Sequence, residues 1–344
     1  MAKEDGIGVD GSIGDLGEFG LISAMADRMT PGPGTIVGIG DDAAVLAAPD
    51  GRVVATTDFL LEGRHFRRDW ADPGDIGHRA AVRSLADIAA MGAVPTALLV
   101  AFAAPPDLPS AWALGVAEGV AAEAARAGAS VAGGDVAQFG SVLLAVTGLG
   151  DLGGRDPVRR SAARPGDVVA VAGPLGRSAA GLALLESGAA EPAGLIASHM
   201  RPSPPYDAGP AAAALGATAM IDVSDGLLAD LGHIADASGV LIDVRSAALE
   251  TGPLEAAAAM ARRGGPDGTP VDAGTADAAA GVALRWALTG GEDHSLVAAF
   301  PPGLGLPAPW SPIGQVHEGH GVVVDGRPYR GAAGWDHFRP GPAD

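Results

Sequence analysis

A polar stretch at residues 150–166, rich in glycine, proline and arginine, divides the chain into two runs of strand- and helix-forming segments. The chain has 344 residues, more than one hydrophobic core usually serves. The sequence therefore predicts two domains, residues 1–152 and residues 153–344. Each run alternates between strand and helix patterns, which favours layered α/β architecture.

The first run begins with an arm, residues 1–35, that is predicted to be irregular apart from a short helix at 18–29. The elements predicted after it are strand 52–59, helix 75–92 with Asp75 as its N-cap, strand 96–103, helix 110–127, and strands 130–132 and 142–149. This β-α-β-α-β-β order suggests a ferredoxin-like α+β domain.

The second run predicts another α/β layer structure. Its elements are strand 167–172, helix 178–186, strand 218–223, helix 227–237, and strands 240–244 and 295–300. Residues 250–280, rich in alanine, glycine and threonine, are predicted to be a mobile insertion or an irregular helical excursion.

Composition limits both the core and the partners. Hydrophobic residues make up 48% of the chain but aromatic residues only 4%, so we expect a core of small side chains packed closely together. The formal charge of −19 repels nucleic acid and anionic membranes, and neither is expected as a partner. The chain has no cysteine, no hydrophobic signal region and no membrane-length apolar run, which together favour a cytoplasmic protein.

Lys3 is the only lysine in the sequence. A Walker A loop and a protein-kinase fold each need a lysine at a defined structural position, so neither is possible here. If the protein binds nucleotide phosphates, it must do so with metal ions, arginine side chains and backbone N–H groups.

Six places in the sequence put a carboxylate beside glycine, at a strand end or in the first long helix. They are Asp41–Asp42, Asp58 after Thr56 and Thr57, Asp87, Asp135, Asp222 with Asp225, and Glu292 with Asp293. Singly, each is best explained as an ordinary turn. As a converging set they would repel one another unless a cation lay among them or some were protonated. Oxygen ligands of this kind suit Mg²⁺ or Ca²⁺, and the lack of cysteine makes zinc a poor fit.

Several residues have two interpretations. The spacing of Arg79, Arg83 and Asp87 favours a solvated helix face with an Arg83–Asp87 ion pair. His65 fits a substrate contact and a structural histidine equally well. Arg160 is by default part of a basic linker, although it could bind phosphate. Residues 173–178 could hold an anion at a helix N-terminus or form a plain strand-to-helix turn.

Nine motifs, in order, resemble the thiamine-monophosphate kinase family from about residue 17 to residue 338. They are GIGDDAAV (38–45), TTDFLLEGRHF (56–66), LADIAAMGA (85–93), GGD (133–135), RPSP (201–204), IDVSDGLLADLGHIA (221–235), GGEDHSL (290–296), IGQV (313–316) and WDHF (335–338). The resemblance implies the two-domain fold of aminoimidazole ribonucleotide synthetases (PurM-like), with a ferredoxin-like N-terminal domain and an α/β C-terminal domain. It also implies a homodimer paired through its N-terminal domains, active sites in the groove between domains, and phosphorylation of thiamine monophosphate to thiamine diphosphate by ATP.

The same resemblance assigns the site residues. Several Mg²⁺ ions would be bound by Asp42, Thr56, Thr57, Asp58, Asp87, Asp135, Asp222 and Asp225, of which Asp58, Asp87 and Asp225 would be central to catalysis. Gly134, Asp135, Arg160 and Ser224 would contact ATP, and His65, Glu292 and Trp335 would line the thiamine-phosphate pocket. For Asp87 this replaces the interpretation that helix periodicity favours. Ser84, Val136 and His294 depart from the family pattern, which commonly has asparagine, threonine and tyrosine there.

Rival functions are of two kinds. Selenophosphate synthetases and hydrogenase-maturation dehydratases share the fold but use cysteine or selenocysteine, which the chain lacks. Purine-pathway synthetases lack the EGRHF and GGED elements as arranged here. The rival of another class is a non-catalytic protein that binds nucleotides or thiamine phosphate.

An acceptor phosphate is already largely a dianion at neutral pH, so direct transfer without a general base or a phosphoenzyme is the expected mechanism.

Overall fold

The computed structural model describes residues 11–39, 43–261 and 276–335. The chain forms two compact units, residues 1–88 with 94–153 (unit 1) and residues 89–93 with 154–344 (unit 2). The helices are α1 (Ile13–Ala26), α2 (Pro73–Ala90), α3 (Ser110–Arg126), α4 (Arg177–Glu186), α5 (Ala193–Met200), α6 (Ala208–Leu215), α7 (Leu227–Ser238), α8 (Gly252–Ala261) and α9 (Ala276–Thr289). Among the described helices, none has the length and apolar character that crossing a membrane requires.

The strands of unit 1 are β1 (Thr35–Val37), β2 (Val45–Leu46), β3 (Val54–Leu61), β4 (Val94–Ala104), β5 (Ser130–Gln138) and β6 (Leu143–Asp151). The last four form a sheet in the order β3-β6-β4-β5, with β4 and β5 parallel and the other pairs antiparallel. Helix α2 packs on one face, where the Ser84 hydroxyl donates to the Val146 carbonyl over 2.7 Å.

Close helix packing in unit 1 depends on small residues. A Cβ atom at Gly77 in α2 would come within 2.0 Å of the Val116 carbonyl oxygen in α3. Alanines on both helices, among them Ala81 and Ala113, are fully buried between larger aliphatic side chains. The expected core of small, closely packed side chains is confirmed.

The register of the sheet in unit 1 separates neighbouring residues of β3 onto opposite faces. Thr56 and Asp58 lie opposite Gly148 and Val146 on the face that the helices cover. Thr57 and Phe59 lie on the other face, because successive side chains of a strand alternate. Phe59 is 56% exposed there, so the helices described for unit 1 leave this second face, called the open face below, uncovered at Phe59.

The strands of unit 2 are β7 (Val168–Ala172), β8 (Ala219–Val223), β9 (Leu241–Val244), β10 (Ser295–Phe300), β11 (Trp310–His317), β12 (Gly321–Val324) and β13 (Arg327–Pro328). They form one sheet in the order β13-β12-β9-β11-β7-β10-β8, in which only β12 and β9 pair in parallel. Its core joins Val169 and Ile221 from the sheet to Leu231 and Leu254 from the helices.

Of the two alternatives for residues 250–280, the mobile insertion is wrong for residues 252–261 and the helical excursion is found, because α8 buries Leu254 in the core and α9 begins at residue 276; residues 262–275 lie outside the described part of the chain. Three other details of the sequence prediction are wrong. Asp75 lies in the first turn of α2, which begins at Pro73, a residue whose fixed φ favours a helix start. Helix α1 is longer than predicted but interrupted at Gly17, and β5 does not end at residue 132.

Candidate functional site

The carboxylates of unit 1 meet where β3 faces α2. The Thr56 hydroxyl donates to Asp87 Oδ2 over 2.7 Å, and Arg83 Nε lies 3.7 Å from Asp58 Oδ1. Arg83 is only 9% exposed and residues on both sides of Asp87 are buried. The solvated-face interpretation of α2 is therefore wrong, because this helix surface packs against the sheet.

The other predicted ligands of unit 1 lie elsewhere. Thr57 is on the open face, where it accepts a hydrogen bond from the Thr147 hydroxyl over 3.1 Å. Asp135 pairs with Ala101 in a row that includes Ala145 and Phe59, which places it on the open face too. The structure thus groups Thr56, Asp58 and Asp87 but not Thr57 and Asp135 with them. Asp42 lies outside the described residues.

Strand β5 carries the Gly133–Gly134–Asp135 motif within its length, not beyond its end. A Cβ at Gly134 would come within 1.9 Å of the Val100 carbonyl oxygen, so only glycine allows the two strands to approach this closely. The motif borders a mainly apolar cavity. Its other lining residues include Ile22 and Met25 of α1, Phe102 of β4, and Val116 and Val120 of α3.

His65 is half-buried at the end of β3. Its Nδ1 accepts the backbone N–H of Leu61 over 3.0 Å, so in the neutral ring the proton is assigned to Nε2. One nitrogen therefore has a structural role, and the ring's orientation is fixed by the backbone.

In unit 2, a buried carboxylate organises the turn between β8 and α7. Asp230 accepts the backbone N–H groups of Asp225 and Gly226 over 3.1 and 3.0 Å. Burial, and then repulsion from Asp222 and Asp225, raises the pKa of Asp230 to about 8. The turn is therefore held in place by a group whose negative charge is itself disfavoured.

This cluster fits a cation. Among the described residues, Asp225, Asp230 and His233 bring one potential ligand atom each within 4.8 Å of one another. Burial and the neighbouring carboxylates raise the pKa of Asp230, so its ionised form is disfavoured unless a cation lies beside it. The carboxylate oxygens are donors that Mg²⁺ accepts.

A second loop packs directly against this turn. Glu292 N–H donates to the Ser224 carbonyl over 2.8 Å, and Trp335 N–H donates to the Asp225 carbonyl over 2.9 Å. A Cβ at Gly291 would come within 2.3 Å of the Ser224 carbonyl oxygen, so the loop needs glycine there. Four residues assigned by the resemblance, Ser224, Asp225, Glu292 and Trp335, are brought together in this way.

Asp293 settles the open question about residues 173–178. It is fully within the protein core and accepts the backbone N–H groups of Gly176 and Ser178 over 2.5 and 2.8 Å, at the N-terminus of α4. Burial raises the pKa of Asp293 to about 7, although these hydrogen bonds oppose the shift. The anion at this helix terminus is the chain's own carboxylate.

His294 links the two loops of unit 2. Its Nδ1 lies 3.1 Å from Asp222 Oδ2, and its Nε2 lies 4.0 Å from Glu292 Oε2. Sequence reasoning did not single out Asp230, counted Asp293 only among the candidate cation ligands, and noted His294 only as a departure from the family pattern. The available signals were their positions inside the SDGLLAD and GGEDH motifs.

The backbone of Arg160 does not lie beside the other predicted site residues of unit 2. Its carbonyl accepts a hydrogen bond from Ser238 Oγ over 2.7 Å, at the C-terminal end of α7. Ser224 and Asp225 precede the N-terminal end of that 12-residue helix, which is about 18 Å long.

Comparisons with known proteins show which family the chain resembles. Two protein-family models match the chain. They describe the N-terminal domain of AIR synthase related protein, which matches residues 40–152, and its C-terminal domain, which matches residues 164–265. The thiamine-monophosphate kinase of Mycobacterium tuberculosis is 47% identical over 94% of this chain and 92% of its own, and that of Escherichia coli K12 is 36% identical over 94% and 98%.

Solved structures give the same result. The thiamine-monophosphate kinase of Stenotrophomonas maltophilia aligns with a TM-score of 0.73 at 31% identity, over 89% of this chain and 96% of its own. AaThiL complexed with AMPPCP and TMP aligns with a TM-score of 0.73 at 33% identity, over 94% and 98%. The hydrogenase maturation protein HypE of E. coli, at 21% identity, shares the fold alone. The chain therefore belongs to the thiamine-monophosphate kinase family, a family of phosphotransferases.

Proposed function

We propose that this chain transfers the γ-phosphoryl group of ATP to thiamine monophosphate in one direct, Mg²⁺-assisted step, giving thiamine diphosphate and ADP. The observation that carries the proposal is the full-length similarity to AaThiL complexed with AMPPCP, a non-hydrolysable ATP analogue, and TMP. The proposed ligand and pocket residues of unit 2 also converge on two adjacent loops.

Because Lys3 is the only lysine in the sequence, the nucleotide would be bound mainly by metal ions, arginine side chains and backbone N–H groups. Gly134 and Asp135 border an apolar cavity that suits the flat, apolar faces of an adenine base. Arg160 and Ser224 are the proposed phosphate contacts in unit 2. Bound Mg²⁺ would neutralise the two polyanions and polarise the transferred group.

The chain's own residues would position the reactants. Thr56, Asp58 and Asp87 form one oxygen-donor group, and Asp222 with Asp225 form another, with Thr57, Asp135 and Asp42 as further proposed ligands. Glu292 and Trp335, fixed by backbone hydrogen bonds to the Ser224–Asp225 turn, would bind the thiamine phosphate together with His65. The acceptor dianion needs no general base, so catalysis would consist of orientation and charge stabilisation.

We propose further that two copies of the chain pair through the open face of unit 1, and that the enzyme acts in the cytoplasm. Phe59 is 56% exposed on that face beside small residues such as Ala101 and Ala145, which leaves an apolar patch bordered by Thr57 and Asp135. Sedimentation velocity on wild type and Phe59→Glu tests the pairing. A wild-type monomer, or a dimer that the charge does not weaken, would exclude this interface.

The reaction is tested by incubating the purified protein with ATP, MgCl₂ and thiamine monophosphate and separating the products by chromatography. Thiamine diphosphate should form only with metal and only from the monophosphate, not from free thiamine. ATP binding without diphosphate formation would favour the non-catalytic alternative or a different acceptor. Controls with EDTA separate metal dependence from slow background hydrolysis.

A further inference from the structure

We propose that His294 is a positioning residue that orients the Asp222 carboxylate for metal binding and keeps it beside the acceptor-binding residue Glu292. The inference rests on the proposed function for the roles of Asp222 and Glu292. It concerns a residue at which this chain departs from the family's usual tyrosine, and it is carried by the geometry of the loop.

His294 contacts Asp222 directly. Asp222 is the fourth residue of β8, and His294 directly precedes β10, the strand that pairs with β8. The 3.1 Å separation of Nδ1 and Oδ2 is a hydrogen-bond distance, and both side chains are almost completely buried, at 2% and 3% exposure. An ionised Asp222 can only accept, so Nδ1–H is the donor. One carboxylate oxygen is thereby fixed, and the orientation of the other follows from it.

The backbone around His294 adopts an unusual conformation. Glu292 and His294 both have positive φ, 65° and 52°, a conformation that residues other than glycine rarely adopt. Hydrogen bonds from Glu292 N–H to Ser224 and from His294 N–H to Val223 hold the loop in this form. Unfavourable backbone angles that neighbouring structure maintains are concentrated at functional sites.

The ring of His294 also lies near Glu292, the proposed acceptor-binding residue. Nε2 of His294 lies 4.0 Å from Glu292 Oε2, so one ring lies between a proposed metal ligand and a proposed substrate ligand. Hydrogen bonds to ligating carboxylates orient them, and their loss typically weakens metal binding by about 10- to 100-fold. His294 is suited to this role because Nδ1 can donate to Asp222 while Nε2 faces Glu292 at 4.0 Å, beyond hydrogen-bond distance.

The test measures metal binding without nucleotide or acceptor, by Mn²⁺ titration followed by electron paramagnetic resonance. His294→Phe should weaken binding by about tenfold or more. His294→Asn should retain most of the affinity, because its amide can donate from nearly the position of Nδ1 and asparagine tolerates positive φ. The matched control is His199→Phe, a buried histidine of the same unit whose Nδ1 is 3.0 Å from the Ser178 hydroxyl.

A double-mutant cycle with Asp222→Asn completes the test. If His294 acts through Asp222, His294→Phe should add little to the loss already caused by Asp222→Asn. Wild-type affinity in a folded His294→Phe protein, additive losses, or an equal loss in His199→Phe would overturn the inference. If His294→Phe does not fold, weak binding by His294→Asn would overturn it as well. Because no product is measured, failure to form thiamine diphosphate would count against the proposed function and not against this role.

Discussion

The two units hold their carboxylates under different electrostatic conditions. In unit 1, Asp58 and Asp87 are half-buried and face an arginine and a threonine hydroxyl supplied by neighbouring elements. In unit 2, Asp222 and Asp230 are at most 3% exposed, and the pKa of Asp230 is raised to about 8 by burial and by its acidic neighbours. Unit 1 therefore supplies an arginine and a hydroxyl to its carboxylates, whereas in unit 2 burial and neighbouring carboxylates disfavour ionisation of Asp230, which a bound cation would favour.

The largest expected effect comes from removing one charge in each unit. Asp58→Asn and Asp225→Asn should each lower turnover by about 100-fold, since each removes a proposed metal ligand at the reacting groups. Asp225→Asn should leave Tm unchanged or raised, because Asp225 is one of the charges that disfavour ionisation of Asp230. Steady-state kinetics and thermal unfolding measure the two outcomes. Unchanged turnover in both variants would contradict the metal assignment.

The second prediction concerns the stability of unit 2. Asp293→Ala should lower the free energy of unfolding by about 2–3 kcal/mol, because it removes the acceptor of the buried N–H groups of Gly176 and Ser178 at the start of α4. Urea unfolding monitored by circular dichroism measures the change.

Ser12→Ala is the control for this prediction in unit 1. Ser12 caps α1 through the Asp15 N–H, but this hydrogen bond is exposed, so water can replace the lost acceptor and the loss should be clearly smaller. Equal losses in the two variants would show that burial does not strengthen the cap in unit 2.

A third prediction uses the pH dependence of stability. In the folded protein the pKa of Asp293 is raised to about 7, while in the unfolded chain it returns to about 3.9. Between these values the folded state binds the extra proton, so stability falls as pH rises from about 4 to about 7. The slope from this group is at most about 1.4 kcal/mol per pH unit and vanishes above the folded pKa.

Asp293→Asn isolates that slope. Its unfolding free energy, relative to wild type at pH 5, 6, 7 and 8, should improve between pH 5 and 7 and then level off. A constant difference across the series would mean that Asp293 is already ionised at pH 5 in the folded protein.

How much of this was predictable differs between the units as well. Alternating apolar patterns predict the main strands and helices of both units but miss β1 and β2 in unit 1 and α5, α6, β11, β12 and β13 in unit 2. The family motifs are the basis on which Asp58, Asp87 and Asp225 are proposed as site residues. The sequence could not show that α2 is buried on the side of Asp87, because its arginines imitate a solvated face and their burial depends on the sheet beneath. Nor could it show that Asp293 serves α4, since that contact joins residues 117 and 115 positions apart.

The smallest effect is expected at the Thr56 hydroxyl, which donates a hydrogen bond to Asp87. Thr56→Val keeps the shape of the side chain but removes the 2.7 Å hydrogen bond to Asp87 and one proposed metal ligand, so turnover should fall by about tenfold. Thr96→Val is the matched control, because its half-buried hydroxyl donates only to the Leu149 carbonyl of the same sheet. Added Mg²⁺ should restore part of the loss in Thr56→Val if the remaining ligands still bind the ion. A loss in Thr96→Val equal to that in Thr56→Val would mean that the effect reflects sheet stability, and the hydrogen bond from Thr56 to Asp87 would then have no specific part in turnover.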